Sequence, residues 1–169
     1  MDIRFDNKKV LVTGGTRGIG RKIAEEFLNN GAMVTVTGTS TDKPEWSTKE
    51  MNYEQLEIKE GTNWQDRVDQ IVEKHEGFDI LINNAGINKV SKIFEIDKND
   101  ISNILLTNLN APIYIASSVS KKMVQNQYGY IVNIGSIFGV VSKEGRSTYT
   151  ASKSGLIGVT RTMAIDLGP

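Results

Sequence analysis

The sequence contains no cysteine, which excludes a disulfide scaffold, a thiol nucleophile and thiolate metal ligation, and agrees with a reducing, cytoplasmic compartment. Histidine is nearly absent too. The one present, His75, follows Lys74 near a predicted helix end, where a solvated side chain interacting with the helix carboxyl terminus is expected. No apolar run approaches the roughly 20 residues of a spanning helix. The opening segment Met1-Asp2-Ile3-Arg4-Phe5-Asp6 lacks the apolar stretch of a signal peptide. An excess of either charge is also missing, because Lys plus Arg and Asp plus Glu number 20 each. There is therefore no broad basic field of the kind nucleic-acid binders use. Neither a membrane nor nucleic acid is an expected partner, and no cluster has metal-ligand spacing. At 169 residues the chain fits a single domain, residues 1–169, able to bury roughly 70% of the surface its unfolded form exposes.

Apolar runs of strand length alternate with helical periods. Val10-Leu11-Val12 reads as a buried strand that ends in the turn Thr13-Gly14-Gly15. A helix from Ile19 to Asn30 follows, with Ile19, Ile23, Ala24, Phe27 and Leu28 on one stripe and Gly31 past its end. Further strands are predicted at Ala32–Thr37, Tyr53–Ile58, Phe78–Ile82 and Tyr130–Ile134. The helices expected between and after them are Trp64–His75, a long segment from about Asp100 to Gln127 that Pro112 divides or kinks, and Tyr149–Leu167. The run Asp97-Lys98-Asn99-Asp100 reads as a helix start with capping aspartates. The polar connection from Ser40 to Asn52, which holds Pro44 and Trp46, is too short for a full helix; Trp46 and Trp64 are expected to be packing residues. This alternation predicts an α/β fold with a doubly wound parallel sheet, a Rossmann arrangement of strand order 3-2-1-4-5.

Thr13-Gly14-Gly15-Thr16-Arg17-Gly18-Ile19-Gly20 lies between the first strand and first helix, where such a sheet binds ligands. Gly14 permits a tight turn, Gly18 lets backbone approach a pyrophosphate, and Gly20 lets helix pack on strand, while the helix start offers free N–H groups to phosphates. An acidic residue after the second strand would bind the ribose of NAD. Here the strand runs into Gly38-Thr39-Ser40-Thr41. With Arg17 to supply charge and Thr39 and Ser40 to donate hydrogen bonds, NADP(H) is favoured over NAD(H). The competing reading has Arg17 solvated and Asp42 swung back to the ribose.

Tyr149 and Lys153 are four residues apart, which places them on one helical face. A neighbouring ammonium favours the phenolate form of a tyrosine and eases proton exchange near neutral pH. Tyr149 can then protonate the alkoxide that develops as hydride reaches a ketone. Ser136, just past the fifth strand, can hydrogen-bond the carbonyl oxygen. Asn83, Asn84, Ala85 and Gly86 end the fourth strand, where small residues let backbone pass close to a cofactor. Asn108 can hold a water against Lys153.

Thr-Gly-x-x-x-Gly-Ile-Gly, Asn-Asn-Ala-Gly, Asn108, Ser136 and Tyr149-x-x-x-Lys153, in this order and spacing, resemble the short-chain dehydrogenase/reductase family over essentially the whole chain. The glycine loop and the Gly38-Thr39 strand end are most similar to 3-oxoacyl-acyl-carrier-protein reductases. The resemblance implies that Tyr149 is the general acid, Lys153 the residue that binds the nicotinamide ribose and tunes the tyrosine, Ser136 the carbonyl-orienting hydroxyl and Asn108 the water holder of a proton relay. It also implies a carbonyl or alcohol substrate, carried in one version on acyl-carrier protein, and a homo-oligomer, dimer or tetramer, built through the two long helices. The family pattern continues past Pro169 into a sixth strand, a Pro-Gly turn, a substrate lid and a seventh strand. The expectation here is a sheet without them, with Tyr130–Ile134 as an edge that another chain or segment covers, or else a fragment that holds cofactor weakly. Two further departures are Leu56-Glu57-Ile58-Lys59-Glu60 in place of an adenine-contacting aspartate, with Glu57 or Glu60 as substitute, and Ala111 where glycine is usual. The competing function is a catalytically silent nucleotide-binding or interaction module. An epimerase or dehydratase of the extended family fits the glycine spacing and the short chain less well.

Overall fold

Alternation within the short apolar runs decides the architecture. In β1 (Lys9–Val12), Val10 and Val12 pack on one side of the sheet and Leu11 on the other. β4 (Ile80–Asn83) repeats this, with Ile80 and Ile82 opposed to Leu81. Successive side chains of a strand point to opposite faces, so strands apolar at every position must be covered on both. β2 (Met33–Gly38), β3 (Met51–Gln55) and β5 (Tyr130–Asn133) complete a wholly parallel sheet in the expected order β3-β2-β1-β4-β5. The computed structural model describes residues 3–168; Met1 and Asp2 of the charged start, and Pro169, lie outside the described residues.

Helix α1 (Gly18–Asn29) covers one face, placing Ala24, Ile23, Phe27 and Leu28 on Val10, Val12, Val34 and Val36. On the other face α2 (Trp64–Lys74) and α4 (Ala111–Asn126) bring Trp64, Val68, Ile71, Ile115 and Val119 onto Leu11 and Leu81. Each such side chain, fully buried, contributes about 1.5–3 kcal/mol relative to exposure. Two further helices, α3 (Lys98–Leu105) and α5 (Ser147–Leu167), complete the α-helices among the described residues. Among those residues no helix is long and apolar enough to cross a membrane.

Several sequence expectations shift. Ile19 is 66% exposed rather than inward, because it occupies the first turn of α1, ahead of the stripe that meets the sheet. β3 starts two residues earlier than its apolar pattern suggests; pairing of Val34 with Met51 and of Gly38 with Gln55 sets its register. The long helix is broken by a π turn over Leu106–Asn110 rather than at Pro112, which sits in the first turn of α4 directly after it. Asp97 caps α3 as expected, accepting from the Asn99 N–H at 2.7 Å. β5 forms the sheet edge, with Tyr130 60% and Val132 45% exposed.

A buried carboxylate ties β3 to α2. Glu54 on β3 is 3% exposed and takes Arg67 Nη2 at 2.6 Å, Lys74 Nζ at 2.6 Å and His75 Nε2 at 2.9 Å, all from α2 or its end. His75 is thus a partly buried partner of Glu54, not the solvated side chain expected. Burial is the largest single influence on Glu54 and pushes its pKa up, but the hydrogen bonds from Lys74 and His75 and the charges of Lys74 and Arg67 together hold it below the ordinary value. A depressed carboxylate contributes stability that is complete above its unfolded value and is lost as pH falls through the folded one. Glu54→Gln is expected to cost about 2 kcal/mol at neutral pH, read as a lower urea midpoint. The gap between variant and parent should close on acidification below the ordinary glutamate range; a gap that stays constant there disproves the ion-pair account.

Candidate active site

At the carboxyl end of β1 the chain must turn sharply beside the end of β4, and side chains from both strands fix how. Thr13 is 2% exposed; its hydroxyl accepts the Asn84 and Ala85 N–H groups, each at 3.0 Å, and donates to the Ile82 carbonyl at 3.4 Å. In return the Asn84 amide donates to the carbonyls of Thr13 and Gly14, at 3.0 and 3.1 Å. Gly14 has φ +62°, and a Cβ there would lie 3.0 Å from the Ala85 Cα. A side chain is excluded twice over, by conformation and by space.

Beyond this clasp the backbone enters α1 with no cap. Arg17 is extended at the N-cap position and contributes no side-chain cap, and the first turn holds no acidic residue. The N–H groups of Arg17, Gly18, Ile19 and Gly20 find no acceptor among the described residues. Four orphan donors with the positive end of the helix dipole make a receptacle for an anion. They open on a cleft of about 1040 Å³. Of the expected cofactor residues, Gly14, Thr16, Arg17, Ile19, Gly20, Gly38, Thr39, Ser40, Ala85 and Gly86 line it, together with Asp42 and Glu57. The residues present fit an elongated phosphate-bearing ligand.

Five expected cofactor residues are not among those lining this cleft: Gly18, Tyr149 and Lys153, and the two whose side chains are consumed elsewhere, Asn83 and Thr13. Asn83 is 3% exposed and its amide donates to the Pro112 carbonyl at 3.3 Å and to Asn133 Oδ1 at 2.9 Å, so its side chain is spent between β4, β5 and α4. The Thr13 hydroxyl is likewise consumed in the clasp. Both belong to the frame of the site rather than to its surface.

The other half of the site gathers at the start of α5. Ser136 follows β5 and caps a 3₁₀ turn over Ile137–Gly139, its Oγ accepting the Phe138 N–H at 3.1 Å. That leaves the serine proton free to donate. The Phe138 ring stands edge-on to Tyr149, with centroids 6.4 Å apart, which ties the serine turn to the tyrosine. Lys153, one turn along α5, is 5% exposed and donates to the Ile134 carbonyl at 2.7 Å; its Nζ lies 5.9 Å from the centre of the Tyr149 ring. Burial pushes the Lys153 pKa down. An ammonium carries three donors and this one uses one within the protein, so a nearly buried cation retains two donors for hydroxyl groups of a ligand.

Asn108 requires a correction. Its side chain is fully buried, with Oδ1 accepting the Ile87 N–H at 2.8 Å and Nδ2 donating to the Ile87 carbonyl at 2.8 Å and to Ser152 Oγ at 3.2 Å. No amide hydrogen is left to hold a water. The backbone carbonyl of Asn108 has no α-helical donor, because residue 112 is a proline and lacks an N–H. The side chain instead locks the loop after β4 to α5 through Ser152, whose hydroxyl also donates to the Tyr149 carbonyl at 2.7 Å.

Asn84 and Trp46 were not singled out from sequence as site residues, yet both hold the glycine loop, Trp46 Nε1 donating to the Thr16 carbonyl at 2.8 Å. The clasp yields a direct expectation. A Cβ at Gly20 would stand 2.6 Å from the Gly14 carbonyl oxygen and would strike the Asn84 amide. Gly20→Ala is therefore expected to destabilise the fold by about 1–3 kcal/mol through overpacking, measured by chemical denaturation. An unchanged midpoint would show that the loop yields freely.

Comparison with known proteins identifies the family. The family model for short chain dehydrogenases matches residues 8–169. The 3-oxoacyl-[acyl-carrier-protein] reductase of Chlamydia pneumoniae is 33% identical over 171 residues, covering 97% of this chain and 69% of that protein. The protein of the same name from Aquifex aeolicus is 32% identical over 177 residues, covering 100% of this chain and 71% of its own length. Among solved structures, one described as a short chain dehydrogenase/reductase family protein superposes with a TM-score of 0.90 at 30% identity, over 98% of this chain and 71% of the other. The chain belongs to the short-chain dehydrogenase family of oxidoreductases.

Proposed function

We propose that the protein reduces a ketone to an alcohol with NADPH as the hydride source, and that Tyr149 delivers the proton. The observation that carries this reading is the Lys153 ammonium, buried beside Tyr149 with donors to spare. A cation in that position makes sense as one half of a ligand contact.

The chemistry that a bound reduced dinucleotide supplies is hydride transfer to the carbonyl carbon. The chain does the rest. The orphan N–H groups at the start of α1 bind the phosphates, and Lys153 takes the ribose hydroxyls. Ser136 donates its free proton as a hydrogen bond to the carbonyl oxygen and so orients it. As that oxygen gains charge, the Tyr149 hydroxyl gives up its proton to it, and the phenolate left behind is stabilised by the Lys153 charge. Resupply of the proton runs from solvent, through a water on the Asn108 carbonyl and past Lys153, to the Tyr149 phenolate. Arg17, Thr39 and Ser40 favour a 2′-phosphate, and hence NADP(H) over NAD(H), although Asp42 on the same rim opposes them.

For the substrate we favour a 3-oxoacyl thioester on acyl-carrier protein. The relatives named above support it, and so does the wall beside the site. Val90, Ile93, Phe94, Ile137, Val140 and Val141 are all exposed, and the Ser91 N–H donates to the Gly145 carbonyl at 3.1 Å, holding the two loops that carry them together. An acyl chain would cover such a wall. The cysteine-free composition suits a cytoplasmic setting, and the outer faces of α4 and α5 offer surface for a dimer or tetramer.

Two variants test the assignment. Tyr149→Phe should lower kcat on the order of 100- to 10,000-fold with the NADP(H) dissociation constant unchanged; turnover at the parent rate overturns the proton donor. Binding of cofactor with no turnover of any 3-oxoacyl or ketone substrate by the parent would favour the silent module instead. Lys153→Met should weaken cofactor binding while leaving the melting temperature unchanged or higher, since replacing an incompletely paired buried charge by an apolar chain relieves a desolvation penalty. A drop of several degrees would mean that Lys153 serves the fold and not the ligand.

A further inference from the structure

We propose that Trp46 is a positioning residue of the dinucleotide site, acting through the Thr16 carbonyl on the glycine loop; this rests on the cofactor reading above. The connection from β2 to β3 contains no helix, yet it is tied down at successive points. The Tyr53 hydroxyl donates to the Ser40 carbonyl at 2.5 Å, Ser40 Oγ accepts the Asp42 N–H at 3.1 Å, and Gln55 Nε2 donates to the Thr39 carbonyl at 3.0 Å. Past Pro44 the chain turns back, and the Trp46 indole donates to the Thr16 carbonyl at 2.8 Å while its ring packs on the core beneath β2. The Arg21 guanidinium lies 5.4 Å from the ring centre and is itself held by Glu25 at 2.6 Å. A polar strap thus anchors to the loop through one aromatic ring.

The consequence follows from peptide geometry. A trans peptide is planar, with its carbonyl and the next N–H pointing in opposite directions. Trp46 does not line the cleft, whereas its neighbour Glu45 and both Thr16 and Arg17 do. The indole therefore grips the loop from behind. Pinning the Thr16 carbonyl on that side aims the Arg17 N–H to the other, into the group of unpaired donors at the start of α1. Preorganised donors bind an anion without the ordering cost that a loose loop would incur. Trp46 never meets the ligand; it sets the direction of a peptide that does.

The test compares the parent with Trp46→Phe, which keeps an aromatic ring for packing and removes only the donor, using three probes in titration calorimetry. NADP⁺ and ADP carry a diphosphate; adenosine 2′-monophosphate does not. Trp46→Phe is expected to weaken NADP⁺ and ADP about 10-fold, the worth of one lost hydrogen bond, and to leave adenosine 2′-monophosphate within about twofold of the parent. Trp46→His, which retains a ring N–H, should lie closer to the parent than Trp46→Phe and provides a second measurement should the phenylalanine variant fold poorly. Equal affinity of parent and Trp46→Phe for ADP overturns the proposal, and so does parallel weakening of all three probes, which would mark a purely structural role. If the parent binds none of the three, the cofactor reading itself fails, a result separate from either of those.

Discussion

The site depends on the clasp between the ends of β1 and β4. In a doubly wound sheet the chain leaves β1 toward one face and leaves β4 toward the other, so a crevice opens between the two exits. An open crevice would be floppy unless its lips were joined. Here Thr13 and Asn84 join them with five hydrogen bonds between side chain and backbone, all drawn from the residues at which the strands stop. Because the clasp consumes the carbonyls of Thr13 and Gly14 and the Thr13 hydroxyl, and Trp46 takes that of Thr16, the unpaired groups at the start of α1 are N–H donors. The same contacts that rigidify the turn thereby decide the sign of the ligand it can take.

A second division of labour separates buried charges that are paired from one that is not. On β3, Glu54 is satisfied by Arg67, Lys74 and His75. By contrast Lys153 is buried with one neutral partner, the first turn of α1 is uncapped, and β5 leaves an edge. Each of these costs stability in the free protein, and the first two recover it only when a ligand supplies the missing acceptors. A dinucleotide should accordingly raise the melting temperature through the very groups that lower it in the free protein.

Much of this was legible from the residues. Apolar runs with helical spacers indicated a parallel sheet and its strand order, and Tyr149 with Lys153 at helical spacing indicated a shared face. Asn83 was misread although its signal was available. Leu81 lies two residues before it and faces α4; alternation along a strand sends Asn83 the same way, toward Pro112, and leaves Asn84 for the glycine loop. The π turn at Leu106–Asn110 was hidden because nothing in that segment marks it except Pro112, two residues beyond its end. Trp46 and His75 were illegible for another reason. Their partners, Thr16 and Glu54, are distant in sequence, and neither contact leaves a periodic trace in the segment that makes it.

The role of Asn108 shows how a residue type can point to the right place through the wrong atoms. An asparagine within a helix suggests a side chain that binds water. Its amide is instead fully employed in holding Ile87, at the loop after β4, against Ser152 on α5, and Ser152 in turn donates to the Tyr149 carbonyl. The chain of contacts Ile87–Asn108–Ser152–Tyr149 therefore links the crevice to the tyrosine-bearing helix. Moving α5 away would break the buried Asn108–Ser152 bond, and an unpaired buried amide costs about 1–3 kcal/mol. Placement of the tyrosine-bearing helix is thus coupled to the burial of Asn108, which the π turn carries.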